Sequence, residues 1–114
     1  MSRSALNLTA LWVSATLGAA ALSGTWVFEF DPDTRGPIER SSCELKLEGR
    51  SLSGHCGSDR VPLMGAVRDR RVTFEIRMGD VTATFRGELD ADDATLRGTW
   101  QQPDRHGRFT AHKR

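Results

Sequence analysis

Few side chains in this 114-residue sequence are of a type that does chemistry: two cysteines, three histidines and 15 acidic residues. Asp90, Asp92 and Asp93 are close enough together to suggest calcium, but the spacing and the terminal glutamate of an EF-hand loop are missing. His106 and His112 are too scattered to indicate a zinc site. No nucleophile with a base beside it stands out. We therefore expect no enzyme, no metal site and no cofactor, and interpret the aspartates as an acidic hairpin loop.

The cysteines are more informative, because the register that relates them can be derived from a turn. Gly49-Arg50 suits a two-residue type II′ turn, in which glycine takes the first central position. Counting outward from that turn, Cys43 faces Cys56 as a non-hydrogen-bonded pair, where the strands approach closely enough for a disulfide. We predict a Cys43–Cys56 cross-strand disulfide. The alternative is two buried thiols in a reducing compartment.

A recurring five-residue unit indicates the elements that carry these side chains. It consists of an apolar residue, any residue, glycine, any residue, and an apolar residue or cysteine; the copies are residues 22–26, 52–56, 63–67, 85–89 and 96–100. Alternation inside each copy predicts strands, and the even spacing predicts a meander. The predicted strands are residues 23–30, 42–48, 51–57, 61–68, 71–78, 81–89, 94–101 and 108–113.

Register counted in the same way along the chain gives one apolar face and one polar face. Such a pattern is typical of an antiparallel sheet, and closing eight strands into a ring removes the exposed edges. We predict an all-β fold, a single eight-stranded antiparallel up-and-down barrel. Met78 and Val81 are assigned to its interior with the other apolar residues. The side chains expected to contact a ligand in the lumen are Trp26, Phe28, Leu45, Phe74, Phe85 and Trp100.

The polar face is expected to be an ordinary solvated wall. Glu44 should face His55 across the disulfide hairpin, and such an exposed pair is usually a surface feature. Arg77, Arg86 and Arg97 form a row on the same face. Arg97 should face Glu88, so part of this row is expected to pair with acidic side chains.

Residues 1–21 have the features of a secretory signal peptide. They contain one early positive charge, an apolar stretch over 5–17 and small residues over 18–21. The stretch is too short and too polar to span a bilayer well. We expect a signal peptide or N-terminal apolar segment over 1–21, a barrel domain over 22–114 and a periplasmic or secreted location, which the disulfide also favours. The alternative is the N-terminal helix of a cytosolic protein.

The charge balance disfavours nucleic acid as a partner. Without residues 1–21 the chain keeps 15 basic and 15 acidic residues, since only Arg3 is lost. A neutral domain lacks the positive surface that phosphate contacts require. The polar outer face of the barrel favours a monomer.

The start of the first strand carries a resemblance. Gly24-Thr25-Trp26, followed by an up-and-down meander, resembles the calycin group of barrels, which includes avidins, lipocalins and small bacterial relatives. The resemblance implies that Trp26 packs at one end of the barrel. Avidin-like proteins hold biotin with a polar residue and a tyrosine where this chain has Phe28 and Cys56. The resemblance therefore implies no biotin site, and a ligand in this lumen should be apolar.

Two function classes follow from these expectations. The first is a small exported binding domain that carries an apolar small molecule in its barrel. The alternative is a periplasmic protease inhibitor or another protein-interaction module, since residues 22–26 and 43–47 also resemble the first strand and disulfide strand of small periplasmic inhibitors of bacterial metalloproteases. A protein partner would be expected at the long loop 31–42 or at the loop 104–107, because exposed loops on rigid scaffolds commonly carry recognition.

Overall fold

A computed structural model describes residues 21–32 and 39–114, which form a closed barrel of eight antiparallel strands. The strands are β1 (Gly24–Pro32), β2 (Glu39–Glu48), β3 (Ser51–Cys56), β4 (Val61–Arg68), β5 (Arg71–Met78), β6 (Val81–Leu89), β7 (Thr95–Gln101) and β8 (His106–Lys113). Each strand pairs with the next along the chain, and β1 pairs with β8 to close the ring. The predicted fold class is confirmed. The predicted signal segment over 1–21 lies outside the described residues except for Ala21.

Tight turns fix the register of the hairpins. Gly49 has a φ of 61°, as the first central position of a type II′ turn requires, and the turn places Leu47 opposite Leu52. The β5–β6 turn is built in the same way around Gly79, whose φ is 62°. The predicted partners across both turns are confirmed.

The connection between β1 and β2 is shorter than predicted. Loop 31–42 was expected from its polarity and its prolines, but β1 continues to Pro32 and β2 begins at Glu39. The ladder extends because inward positions at the rim of a barrel are solvated, so polar residues such as Ser41 are tolerated there. What is left of the loop, residues 33–38, lies outside the described residues. The predicted loop 104–107 is shortened likewise, since β8 begins at His106.

The core lies inside the barrel and follows the predicted alternation. Its fully buried side chains include Trp26, Phe28, Phe74, Phe109, Leu52, Leu63 and Leu96. Met78 and Val81 face each other as predicted, and Met78 lines a cavity at this end of the barrel, but the two residues are 46% and 38% exposed rather than buried. Both adjoin the β5–β6 turn, at the end of the hairpin where the barrel interior meets solvent. None of the described segments is a helix long and apolar enough to cross a membrane.

Candidate ligand-binding site at the open end of the barrel

One end of the barrel is plugged by its own chain, and we call it the closed end. Trp26 is fully buried there, and its indole N–H donates a 2.9 Å hydrogen bond to the carbonyl of Leu22. Leu22, which sequence reasoning left out of the core, is itself 1% exposed. The Lys113 ammonium donates to the carbonyl of Ala21 at 2.6 Å. These contacts fold residues 21–23 over the end of the lumen.

The middle of the lumen is filled by phenylalanine rings. Phe74 stacks on Phe85 with ring centroids 4.8 Å apart and an interplanar angle of 5°. Phe28 and Phe109 lie 5.8 Å apart, and each meets Phe74 edge-on. Edge-to-face and offset contacts at these distances are favourable for aromatic pairs. No ligand fits among rings packed in this way.

The opposite end, which we call the mouth, is left unfilled by the residues that the structure describes. It holds a cavity of about 340 Å³ whose walls include Phe30, Ile76, Ala83, Phe85 and Trp100. Ser41, Gln102, Arg105, Glu39, Arg40 and Asp59 stand around it. Cavities of 300–1,000 Å³ with apolar walls and a few polar groups are typical small-molecule sites. The floor of the mouth is therefore apolar, and its polar atoms are gathered at the rim.

The disulfide forms part of the wall of the mouth. Cys43 and Cys56 are directly opposite each other on β2 and β3, with Cα atoms 4.0 Å apart, and they are bonded as predicted. Cys56 contributes to the cavity lining together with Gly57. The Gly57 amide donates a 2.9 Å hydrogen bond to the carbonyl of Ser42, which fixes the start of the β3–β4 turn against β2.

Trp100 lines the mouth, and its polar atom, the indole nitrogen, is buried. The residue is 6% exposed, and its indole N–H has no acceptor within hydrogen-bonding distance among the described residues. The ring lies against Gly107, where an added Cβ would come within 2.8 Å of the indole nitrogen. On another side, the Arg105 guanidinium carbon lies 5.6 Å from the ring centroid, in the range of a cation–π contact.

The charged side chains at the rim differ in whether they are ion-paired and in where they lie around the barrel. Arg40 is paired, since its Nε lies 3.1 Å from a carboxylate oxygen of Glu29. Arg105 has no carboxylate within 4.0 Å among the residues that the structure describes. Asp59 lies on the β3–β4 turn, halfway around the ring of eight strands from the β7–β8 turn that carries Arg105.

The residues predicted to line the lumen divide between the two parts of the barrel. Phe85 and Trp100 line the mouth, whereas Trp26, Phe28, Leu45 and Phe74 are buried in the packed interior. Gln102 was not predicted, and Arg105 lies in the loop 104–107, where a protein partner rather than a ligand of the lumen was expected. They lie in a turn rather than in the alternating pattern, and no spacing in the sequence marks them. The mouth therefore supplies polar groups that the predicted interior lacked.

The acidic loop after β6 is held by its own hydrogen bonds. Asp92 accepts from the backbone amides of Ala94 and Thr95 at 3.0 and 3.1 Å, and from the Thr95 hydroxyl at 2.8 Å. These bonds to the charged form lower the pKa of the Asp92 carboxyl. Arg70 donates to Asp93 and to the carbonyl of Asp90. The loop is thus held by hydrogen bonds within it and by hydrogen bonds from Arg70 of the β4–β5 turn.

The remaining polar candidates lie on the outer wall. His55 and Glu44 face each other as predicted, with nitrogen and oxygen 3.8 Å apart. Arg97 faces Glu88 in register, but its ion pair is with Asp90 at 3.0 Å. Within residues 21–32 and 39–114, no three His, Cys, Asp or Glu side chains come together as a metal site would need.

Comparison with known proteins shows the fold alone. No protein-family model matches the chain, and no curated protein sequence is significantly similar to it. A redesigned β-barrel is 16% identical and aligns over 85% of this chain and 94% of its own, with a TM-score of 0.65. A redesigned β-barrel bound to DFHBI is 17% identical over 84% of this chain and 99% of its own, with a TM-score of 0.61. A de novo designed fluorescence-activating β-barrel is 22% identical over 85% and 97%, with a TM-score of 0.56. The resemblance to avidins and lipocalins stays a prediction.

Proposed function

We propose that this domain is an exported, non-enzymatic binding protein that holds an apolar small molecule in the mouth of its barrel. The observation that carries the proposal is the cavity of about 340 Å³ above a packed aromatic floor. Burying apolar ligand surface there is favourable by roughly 25 cal/mol per Å². A barrel of the same fold has been solved with DFHBI bound, which supports the use of this architecture for small molecules.

The packed middle of the barrel limits how deep a ligand can enter. Phe85 belongs both to the wall of the mouth and to the ring cluster below it, so it marks the floor of the site. The rings beneath are already in mutual contact, and the closed end is covered by residues 21–23. A ligand of the mouth is therefore compact, about the size of two fused rings with a substituent, rather than a long chain threaded through the lumen.

The experiment that tests this proposal uses N-phenyl-1-naphthylamine, a neutral apolar dye whose fluorescence rises on leaving water. We expect saturable binding to the purified domain with one site per chain. Ala83, an inward residue of the mouth that is 1% exposed, is then changed to leucine to occupy the cavity. Ala83→Leu should weaken dye binding by about tenfold or more, since three added carbons take up the space that the dye needs.

Ala66→Leu is the matched control, because Ala66 is an exposed residue on the outer face of β4. It adds the same atoms outside the lumen and should leave dye binding unchanged. Absence of saturable binding, or equal loss in both variants, would contradict the proposed site.

Export is a separate part of the proposal and needs its own measurement. It is supported by the composition of residues 1–21 and by the disulfide, since such bonds persist in oxidising compartments. When the full chain is expressed in a bacterium, the periplasmic fraction should contain a shortened protein beginning near Leu22. Intact mass measurement should also show the loss of two hydrogens for the Cys43–Cys56 bond. A full-length, reduced protein confined to the cytoplasm would contradict export.

A further inference from the structure

Arg105 gives the mouth a positive charge that the described residues leave uncompensated. It is exposed, it lines the cavity, and no described carboxylate lies within ion-pairing distance of it. Arg40 is the other arginine of the rim, but its charge is compensated by Glu29 at 3.1 Å. The two arginines therefore differ in what they offer to a ligand.

The position of Arg105 is fixed from two directions. Its own carbonyl accepts a 2.7 Å hydrogen bond from the Gln102 amide, which closes the turn between β7 and β8. Its guanidinium lies over the Trp100 ring, which is buried in the wall. A long side chain held in this way loses less conformational entropy when it binds a partner. The guanidinium stands at the edge of the cavity rather than extending freely into solvent.

The two acidic residues that line the cavity, Glu39 and Asp59, do not lie in the β7–β8 turn that carries Arg105. Asp59 is on the β3–β4 turn, opposite Arg105 across the ring, and Glu39 is on β2 with β1 between it and β8. Among the described residues that line the cavity, the arginine without an ion-pair partner is therefore on the β7–β8 side, and both carboxylates are on the β2–β4 side. The charged side chains that line the mouth are therefore distributed unevenly around its apolar floor.

We propose that the ligand of the mouth is a compact apolar compound ending in a single anionic group, such as a carboxylate or sulfonate, which pairs with Arg105. This inference rests on the proposed function, since it assumes that the apolar body occupies the mouth against Phe30 and Phe85. Guanidinium groups suit planar anions because they donate two parallel hydrogen bonds. The Trp100 ring, against which the Arg105 guanidinium lies, is part of the same cavity wall.

The test compares two dyes that share one apolar body. N-phenyl-1-naphthylamine is neutral, and 1-anilinonaphthalene-8-sulfonate is the same compound with a sulfonate added. Affinities of both dyes are measured for the wild type, for Arg105→Gln and for the control Arg108→Gln, which removes one positive charge from β8 at a residue that does not line the cavity. Arg105→Gln should weaken binding of the sulfonate dye about three- to tenfold and leave that of the neutral dye within about twofold. Arg108→Gln should change neither dye by more than about twofold, because Arg108 is exposed and lies outside the cavity lining.

Salt gives a second readout of the same pairing. Raising the salt concentration should weaken binding of the sulfonate dye to the wild type, because ions screen an exposed pair, and should have little effect on Arg105→Gln. The inference is overturned if Arg105→Gln affects both dyes equally or if both arginine variants weaken the sulfonate dye to the same extent. If the neutral dye binds and responds to Ala83→Leu while Arg105 proves irrelevant, the proposed function survives and the anion preference alone fails. If neither dye binds, both fail.

Discussion

Gly65 on β4 lies directly opposite Phe74 on β5, and a Cβ added to Gly65 would come within 2.5 Å of the Phe74 Cβ. The added atom would also meet the backbone carbonyl of Thr73. Real Cβ atoms do not approach other atoms this closely, so a side chain at this position would force the two strands apart. The glycine thus lets β4 and β5 approach where the Phe74 ring turns to stack on Phe85.

Gly65→Ala should therefore destabilise the barrel by about 1–3 kcal/mol, because one extra methyl group cannot be accommodated in this tightly packed interior. Urea unfolding followed by tryptophan fluorescence would measure the loss. Gly79→Ala is the control: Gly79 has open space around it but a φ of 62°, so its cost comes from backbone strain alone. We expect about 1 kcal/mol for that change. A Gly65 variant as stable as the wild type would contradict the close approach.

Reduction of the Cys43–Cys56 disulfide should lower the free energy of unfolding. The bond closes a loop between residues 13 apart in sequence, for which chain-entropy estimates give about 3 kcal/mol. Urea unfolding of the wild type with and without a reductant measures this difference. The double variant C43A/C56A serves as the control and should not respond to the reductant. Equal sensitivity in the two proteins would show that the reductant acts elsewhere.

The two buried indoles provide a matched pair of substitutions. Trp26 donates a 2.9 Å hydrogen bond to Leu22, whereas the N–H of Trp100 has no acceptor among the described residues. Trp26→Phe leaves the Leu22 carbonyl unpaired, while Trp100→Phe removes a donor that is already unsatisfied. We expect Trp26→Phe to be more destabilising than Trp100→Phe by about 1–3 kcal/mol in chemical unfolding. Equal losses would mean that volume alone governs both sites.

The loop after β6 should make stability depend on pH in the acidic range. Hydrogen bonds from Ala94 and Thr95 lower the pKa of Asp92 below its ordinary value of 3.8. A carboxyl with a lowered folded-state pKa stabilises the fold fully above its ordinary pKa, and the contribution disappears as the pH falls through the lower folded value. Asp92→Asn should therefore flatten the decline in stability as the pH falls below the ordinary value of 3.8.

Asp80 gives the control for that measurement, since it is exposed in the β5–β6 turn and accepts no side-chain hydrogen bond among the described residues. Asp80→Asn should keep the pH profile of the wild type. The role assigned to Asp92 is wrong if both variants show the same profile as the wild type.

Much of the architecture could be predicted from the sequence because hairpin register depends on local features. Gly49-Arg50 fixes the β2–β3 register, and the two-residue alternation then decides which side chains point inward, Cys43 and Cys56 included. How far each inward side chain lies from the mouth along the barrel axis could not be predicted. Phe74 and Phe85 share one face and one residue type, yet Phe85 reaches the mouth and Phe74 does not. That difference depends on strand tilt and on how the rings interlock, which the period of two does not encode.

The rim was the least predictable part for a related reason. Strands were expected to end where the apolar alternation ends, but β2 begins at Glu39. Ser41, which precedes Cys43 on the inward side of β2, is polar and still pairs with β1. At the rim, water replaces the packed core, so the backbone ladder continues without the side-chain pattern that signals it. Arg105 belongs to a turn and carries no pattern of its own. The polar part of the candidate site was therefore invisible to periodicity.

The pairing of β1 with β8 has a consequence for how the chain reaches its folded state. Every other strand pair in the described barrel joins sequence neighbours through a short connection and can form as soon as both strands exist. The β1–β8 pair joins residues more than 70 positions apart, such as Phe28 with Ala111. Closing so long a loop costs entropy that only the completed ring recovers. We therefore expect hairpins to form early and ring closure to limit the folding rate, with the edges of β1 and β8 open to mispairing until the C-terminal strand has been synthesised.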